Sequence, residues 1–553
     1  MTAPNLTVIQ GGGNEPPTDE TDSDDRPQVV IQSAKPHQAI DELADLLHLD
    51  KNLFVRGKEL VTIVGALAPD GDERAPVTES TPVIAPVEGA TMTERLAKTV
   101  RVVRVKPLSK TQAQIVEMGG RPPPTEYVAA IVPPLVVTGL LARRQWPLRH
   151  LVSVSETPLL RPDGTVIQSP GYDRVTGYVF KPNCVFPDVD PEATQTQARG
   201  ALDELKEIFA EFPYANEASR MVPIAAILTL LARSAIGGSV PAFLFDANTR
   251  GSGKTLQADA VSLVALGRSA ARKSYPADEE EMGKILTSYA VAGARCILFD
   301  NVTREFGGGE LDQVITARDT VEVRVLGRSE VRLLPWNAVI MASGNNMVLS
   351  EDTVRRVLIA RLESPDENPE ERGGHTHHLP TWIPRERPRL VAAALTILRA
   401  YMRLGLHRDA TRKAWGSFEE WSRLVPGAIT FAGGEDPMLA RPSTEQHVSD
   451  QTRALRTMVA MLPMLDKDGH GLTCREIITR LYPEKADPAF RKLDGFDDLR
   501  DAIEAWTHAK GGQVPSLQLL GKRLQAAVGR VVGCRSIHRA DAGGYKAVRW
   551  VVR

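Results

Sequence analysis

The sequence predicts a multidomain α/β protein whose centre is a parallel sheet with a phosphate-binding loop at its edge. Three observations carry this. PAFLFDA (Pro241–Ala247), the loop through Gly253 and TLQADAVSLVALG (Thr255–Gly267) read as strand, glycine-rich turn and helix. Two more apolar runs, CILFDN (Cys296–Asn301) and AVIMASGNN (Ala338–Asn346), end in polar residues, as buried parallel strands do where they deliver side chains to a ligand. An α+β region precedes this core, and a basic region patterned as helices and a β-hairpin follows it.

Size and composition set the bounds. At 553 residues, and about one domain per 150 residues, the chain holds three or four domains. The hydrophobic share of 42% and charged share of 25% are those of a soluble protein, and a net charge of −2 leaves a polyanionic partner to local charge distribution. Four widely spaced cysteines exclude a local zinc site and speak against a disulfide scaffold, which predicts a cytoplasmic protein. The N-terminus lacks a secretory pattern, and the most apolar run, Val128–Ala142, is too short to span a bilayer and is interrupted by Pro133-Pro134, so no membrane role is expected.

Taken in order, residues 1–35 read as a disordered acidic tail, from their glycines, prolines and the run DETDSDD. Residues 36–200 read as an α+β accessory domain. His37–Leu49 has helical spacing, Asn52–Val64 reads as strand, glycine turn and strand, and Thr157–Phe180 is β-rich with Pro-Asp-Gly and Pro-Gly turns. Helical patterns over 201–238 lead into the 201–440 core. Residues 441–553 form the last domain.

The loop ANTRGSGKT (Ala247–Thr255) fits the P-loop pattern with Asn248 in place of the first glycine. Asparagine tolerates the left-handed conformation best among ordinary residues, so the loop is expected to survive the change. Backbone N–H groups of Asn248, Gly251, Ser252 and Gly253 and the helix N-terminus would surround nucleotide phosphates, with Lys254 on the terminal phosphates and Thr255 on Mg²⁺. Asp300, ending a buried strand 46 residues after Lys254, reads as the second metal-holding group. Taken alone it reads better as an ordinary core strand whose terminal Asp caps a turn; the P-loop tips it to the metal-holding reading. Asn345 or Asn346 would orient the attacking water and touch the γ-phosphate. DTVRR (Asp352–Arg356) offers Arg355 and Arg356 as arginines acting on a neighbouring subunit's phosphates, or as a surface ion pair.

This order resembles AAA+ ATPases. Within them, RVLGRSEVRLLPWNAVIMASGNN followed by DTVRR is similar to the helicase modules of phages, prophages and mobile islands, in the branch of superfamily 3 and minichromosome-maintenance-like helicases. The resemblance runs from about 215 to 440 and takes in Leu390–Tyr401 and Gly416–Val425. It implies hexameric rings, ATP hydrolysis between subunits and translocation on DNA. One position departs from the pattern: many such sites carry Glu after the strand's Asp, and here that place is Asn301. Glu280 or Glu281, in DEEEMGK, is a relocated base or part of a solvated first helical turn. A site that binds ATP without hydrolysing it also fits Asn301.

Two regions are expected to meet DNA. Thr320–Pro335 alternates around Leu326-Gly327-Arg328-Ser329 as a β-hairpin, whose Arg324, Arg328 and Arg332 would touch phosphates in a ring channel or sit as ordinary surface arginines. From Trp506 to Arg553, nine Lys or Arg face one acid. A helix at Ser516–Val528 followed by two strand-like runs looks like a winged helix, with Lys522, Arg523, Arg539 and Lys546 as DNA contacts. A protein-binding module or a solubilising tail is the alternative. HTHH (His375–His378) is a metal ligand set or a flexible loop, and Trp382 and Trp421 are expected in the core.

The sequence thus predicts an ATP- and Mg²⁺-dependent DNA helicase or replication initiator of a phage or mobile element, forming a homo-oligomeric ring. It binds a single strand in the pore and duplex at the winged helix, with residues 36–200 as a possible single-strand collar. An ATP-switched initiator or loader without unwinding activity, or a non-motor defence or scaffold ATPase, are the alternatives.

Overall fold

The computed structural model describes residues 25–65, 81–324, 331–366, 369–371, 373–408, 414–442, 450–482, 495–509, 513–532, 535–540 and 548–553. The chain divides into two units, one of residues up to 64 with 85–150, the other principally 151–553.

In the first unit, β1 (Gln28–Ile31), β2 (Leu53–Arg56), β3 (Glu59–Val64), β4 (Val83–Pro86), β5 (Arg101–Val105) and β6 (Tyr127–Ala129) form two three-stranded sheets, β1-β5-β6 and β2-β3-β4. β2 and β3 are antiparallel across Gly57, whose φ of 54° suits the tight turn. Helices Pro36–Leu46, Gly89–Thr99 and Pro134–Ala142 bury Leu43, Met92, Leu96 and Leu140 in a shared core. The apolar run that ends at Ala142 is therefore core material. Among the described residues no helix is long and apolar enough to cross a membrane.

Two expectations change here. The acidic tail stops short of residue 35, because Gln28–Ile31 pairs in parallel with β5 and buries Val29. The accessory region also ends near 150 rather than 200. β7 (Ser153–Ser155), β8 (Leu159–Leu160), β9 (Val166–Ile167), β10 (Gly171–Tyr172) and β11 (Tyr178–Phe180) follow, and Leu160, Tyr178 and Phe180 join the same core as Leu228 and Phe245. Their short apolar runs had no partner recognisable in the sequence.

The second unit is built on five parallel strands: β12 (Ala242–Ala247), β13 (Arg272–Ser274), β14 (Cys296–Val302), β17 (Val339–Asn345) and β18 (Val357–Leu362), in the order β13-β14-β17-β12-β18. Between β14 and β17 stands an antiparallel hairpin, β15 (Thr320–Arg324) and β16 (Val331–Pro335). Every residue of β12 is buried, which explains a continuous apolar run rather than an alternating one. Helices Gln195–Ile208, Glu217–Ala232, Lys254–Leu266, Leu379–Arg403 and Glu419–Phe431 cover the sheet. Trp421 is fully buried against Phe243, with its ring N–H on the Thr229 hydroxyl at 2.8 Å, whereas Trp382 is only partly buried.

Residues 450–553 hold a separate core. Helices Asp450–Leu465, Cys474–Leu481, Asp497–Thr507 and Leu517–Ala526 enclose Met458, Ile477, Ile503, Leu524 and Trp550. An antiparallel sheet, β19 (Val531–Val532), β20 (Arg535–Arg539) and β21 (Trp550–Val552), completes it. The run GRVVGCRSIHRA supplies two of these strands, where one was expected.

Candidate nucleotide site and nucleic-acid interface

β12 is an interior strand, between β17 and β18, but is the first of the five strands in sequence, so the chain order reverses beside it and opens a crevice at the carboxyl ends. The parallel register pairs Phe245 with Ser343 and Ala247 with Asn345, so these four residues share one face. On β14 the register shifts between Phe299 and Val302. Asn301 takes a left-handed φ of 54° there, and the bulge aims Asp300 at its neighbours. The Thr255 hydroxyl donates to Asp300 Oδ1 at 2.9 Å, and the Ser343 hydroxyl donates to the same oxygen at 2.5 Å. Ser343 also accepts the Asn301 N–H at 3.1 Å. The P-loop helix, the Asp300 strand and the strand between them thus converge on one carboxylate.

The loop itself is shaped for an anion. Gly251 and Gly253 hold φ of 75° and 88°, and a Cβ on Gly253 would stand 2.8 Å from the Phe212 ring. The helix Lys254–Leu266 has no side-chain cap and no acid in its first turn, which leaves its leading N–H groups and positive dipole end for a ligand. Lys254 Nζ donates to the Thr249 carbonyl at 3.2 Å. Burial lowers the Lys254 pKa, opposed by the charges of Asp246 and Asp300. This donor set fits nucleotide phosphates, and the Thr255 and Asp300 oxygens suit a hard divalent cation such as Mg²⁺.

Asn248 works differently from the sequence argument. Its φ is not positive. Its side chain donates to the Ser364 carbonyl at 2.9 Å and accepts the Ser364 N–H at 3.0 Å. The loop keeps Asn as a clamp on the chain leaving β18.

A cavity of about 530 Å³ adjoins Gly251–Gly253, lined by Ile208, Phe212, Leu256, Leu379 and the HTHH segment. His375 Nδ1 lies 2.9 Å from Glu211, and the Thr376 N–H donates to Glu211 at 2.7 Å. His377 reaches Glu207 at 3.1 Å and stacks on Trp382 at 4.3 Å. Thr376, through its side chain and N–H, and then His375 hold the Glu211 carboxyl down to about 2. HTHH is therefore a strap anchored beside the P-loop, and no metal-holding cluster occurs among the described residues.

The remaining site residues separate by environment. Asn345 Oδ1 is buried without a hydrogen-bond partner, whereas Asn346 bonds to Arg361 and to the start of the P-loop. Arg356 pairs with Asp312 at 2.8 Å within its own chain. Arg355 is 70% exposed and pairs with Asp352. Glu280 and Glu281 both pair with Lys284 on an open helix face, and Asp278 caps that helix through the Glu281 N–H. Ser343, Asp246 and Arg361 were missed in the sequence. A signal for the last two was present: single charges inside the apolar runs AFLFDA and VLIARL.

The hairpin arginines do not act as one set. Val323 pairs with Arg332 and Arg324 with Val331, so Arg332 shares the face of buried Val321, Val323 and Leu334, and Arg324 lies on the opposite, exposed face. Arg328 lies outside the described residues. In the C-terminal region Lys522 is exposed, Arg523 donates to His508 at 2.8 Å, and Arg539 bonds Gln525 and lies 6.0 Å from the Trp550 ring. Lys546 is outside the described residues.

Scanned against protein-family models and curated proteins, the chain matches none. Among solved structures it is similar to the apo A form of the NrS-1 C-terminal region, at 10% identity over 77% of this chain and 91% of that chain, with a TM-score of 0.35. A second form of that region gives 11% identity, 84% and 99% coverage and a TM-score of 0.32. JCV helicase with a bound thiazolopyridinyl-phenoxyphenyl acetamide gives 13% identity, 49% and 73% coverage and a TM-score of 0.18. These values describe partial overlap, and the chemistry of the site rests on its own geometry.

Proposed function

We propose that the protein is an ATP- and Mg²⁺-dependent DNA motor of AAA+ type, the helicase or replication initiator of a phage or mobile element, acting in the cytoplasm as a homo-oligomeric ring, with six subunits as the resemblance implies. The observation that carries this is the convergence of Thr255 and Ser343 on Asp300 beside an uncapped P-loop helix. Mg²⁺ supplies charge neutralisation of the phosphates when bound. Thr255 and Asp300 hold it, and Lys254 neutralises the terminal phosphates. Asn345, with an unpartnered buried oxygen on the same face as Ser343, accepts a hydrogen bond from the attacking water. Arg355, exposed on the turn Thr353–Arg356, is the arginine offered to a neighbouring subunit.

DNA contact is assigned to the exposed face of the hairpin, with Arg324, to Arg328 from its place in the sequence between the two hairpin arms, and to the C-terminal region read as a winged helix, with Lys522, Arg523, Arg539 and Lys546. A second reading, an ATP-switched initiator or loader, is favoured by one observation: Asn301 occupies the usual position of the base, and Glu280 and Glu281 are tied to Lys284. Strand displacement on forked DNA separates the two. Unwinding with ATP and none with a non-hydrolysable analogue supports the motor. Nucleotide-dependent DNA binding without displacement supports the switch.

A further inference from the structure

Asp246 is completely buried, and alternation along β12 puts it on the opposite face from Phe245 and Ala247. Its carboxylate accepts from Arg361 Nη1 at 2.6 Å and from the Met347 N–H at 3.2 Å. A carboxylate at this depth needs its partner, so the guanidinium is fixed in place. The other arm, Arg361 Nη2, donates to Asn346 Oδ1 at 2.9 Å. That contact sets the amide: with the oxygen toward Arg361, Nδ2 is turned to the Asn248 carbonyl, 3.5 Å away. The Asn346 N–H in turn bonds the Ala247 carbonyl at 3.1 Å, with φ at 46°. Both side-chain ends of Asn346 and its N–H are thereby spent inside the chain.

We propose that Asp246 and Arg361 are positioning residues of the nucleotide site, acting through Asn346 to hold the start of the P-loop from the reverse face of the sheet. This rests on reading the loop as a nucleotide site. It also divides the labour of the two asparagines: Asn346 braces the loop, and Asn345 faces the reacting end. Arg361→Lys is the informative substitution. It keeps a positive charge against Asp246, but a single ammonium cannot hold two acceptors as the planar fork does.

The test is fluorescence titration of ADP and ATPγS on wild type, Arg361→Lys, Asn346→Ala and the double variant, with active fraction read from stoichiometry. Each single variant is expected to weaken both nucleotides alike, by about tenfold, for the loss of a charge-assisted bond or of the amide it orients. The double variant should be no weaker than the weaker single, because both interrupt one chain of contacts. A purely structural role would lower the melting temperature and leave the Kd of the folded fraction in place. Wild-type affinity in Arg361→Lys or in Asn346→Ala overturns the proposal, as does a double variant that loses the product of the two factors. If Arg361→Lys does not fold, Asn346→Ala on its exposed loop decides alone. A wild type that binds neither nucleotide overturns the P-loop reading and this inference together, which distinguishes the two failures.

Discussion

Ser343→Ala removes one oxygen from a nearly solvent-free position, with Ser343 1% exposed, and leaves the backbone free to stay as it is. That oxygen makes two bonds: it donates to the Asp300 carboxylate at 2.5 Å and accepts the Asn301 N–H at the bulge at 3.1 Å. A bond to an ionised group contributes about 1.5–3 kcal/mol and a neutral one about 0.5–1.5 kcal/mol, so the loss is about 2–4 kcal/mol. In a unit of this size each kcal/mol moves the melting temperature by about 1–2 °C, which gives a fall of about 2–8 °C. Scanning calorimetry of the main transition reads this directly. Thr255 remains on Asp300 in the variant, so nucleotide binding at low temperature should survive. A shift under about 1 °C would refute the claim that Ser343 locks Asp300 to the bulge.

Other substitutions test separate links. Asn248→Gly restores the usual P-loop glycine yet should weaken nucleotide binding or loop stability by about 1–2 kcal/mol, because two bonds to Ser364 are lost. Unchanged affinity would return Asn248 to a conformational role. Arg324→Glu should reduce single-stranded DNA affinity and lower its salt slope by about one to two ions, whereas Arg332→Glu, on the packed face, should chiefly lower the melting temperature. The Glu211 carboxyl is held at about 2, below its usual 4.5, so its contribution to the strap is complete above 4.5 and is lost as pH falls through about 2. Proteolytic protection of residues 373–378 should therefore not fall as pH is lowered from 8 to 5, and a strap that opens on acidification within that range contradicts the assignment.

What was legible in the sequence follows from where the determinants lie. The strand–loop–helix of β12 and the two apolar strands ending in Asp300 and Asn345 are local patterns, and each forms where its spacing predicts. Strand order is a long-range property, so the sequence could not reveal that β17 separates β12 from β14 and brings Ser343 to Asp300. The histidine strap depends on Glu207 and Glu211, more than 160 residues away in the chain, and read alone it resembled a loop. Hairpin arginines are three-dimensional in the same way: the alternation was visible, but the face packed against the domain was not. The β7–β11 segment changed allegiance for a similar reason, its apolar residues being too few for a core of their own and completed by helices Glu217–Ala232 and Leu379–Arg403 in the core that also holds the sheet.

The most direct measurement is ATP turnover with and without single-stranded DNA, in wild type and in Lys254→Ala. Turnover stimulated by DNA and abolished by Lys254→Ala is the result a DNA motor predicts. Wild-type protein that binds ATP but turns it over no faster with DNA contradicts the motor and leaves the ATP-switched assembly reading.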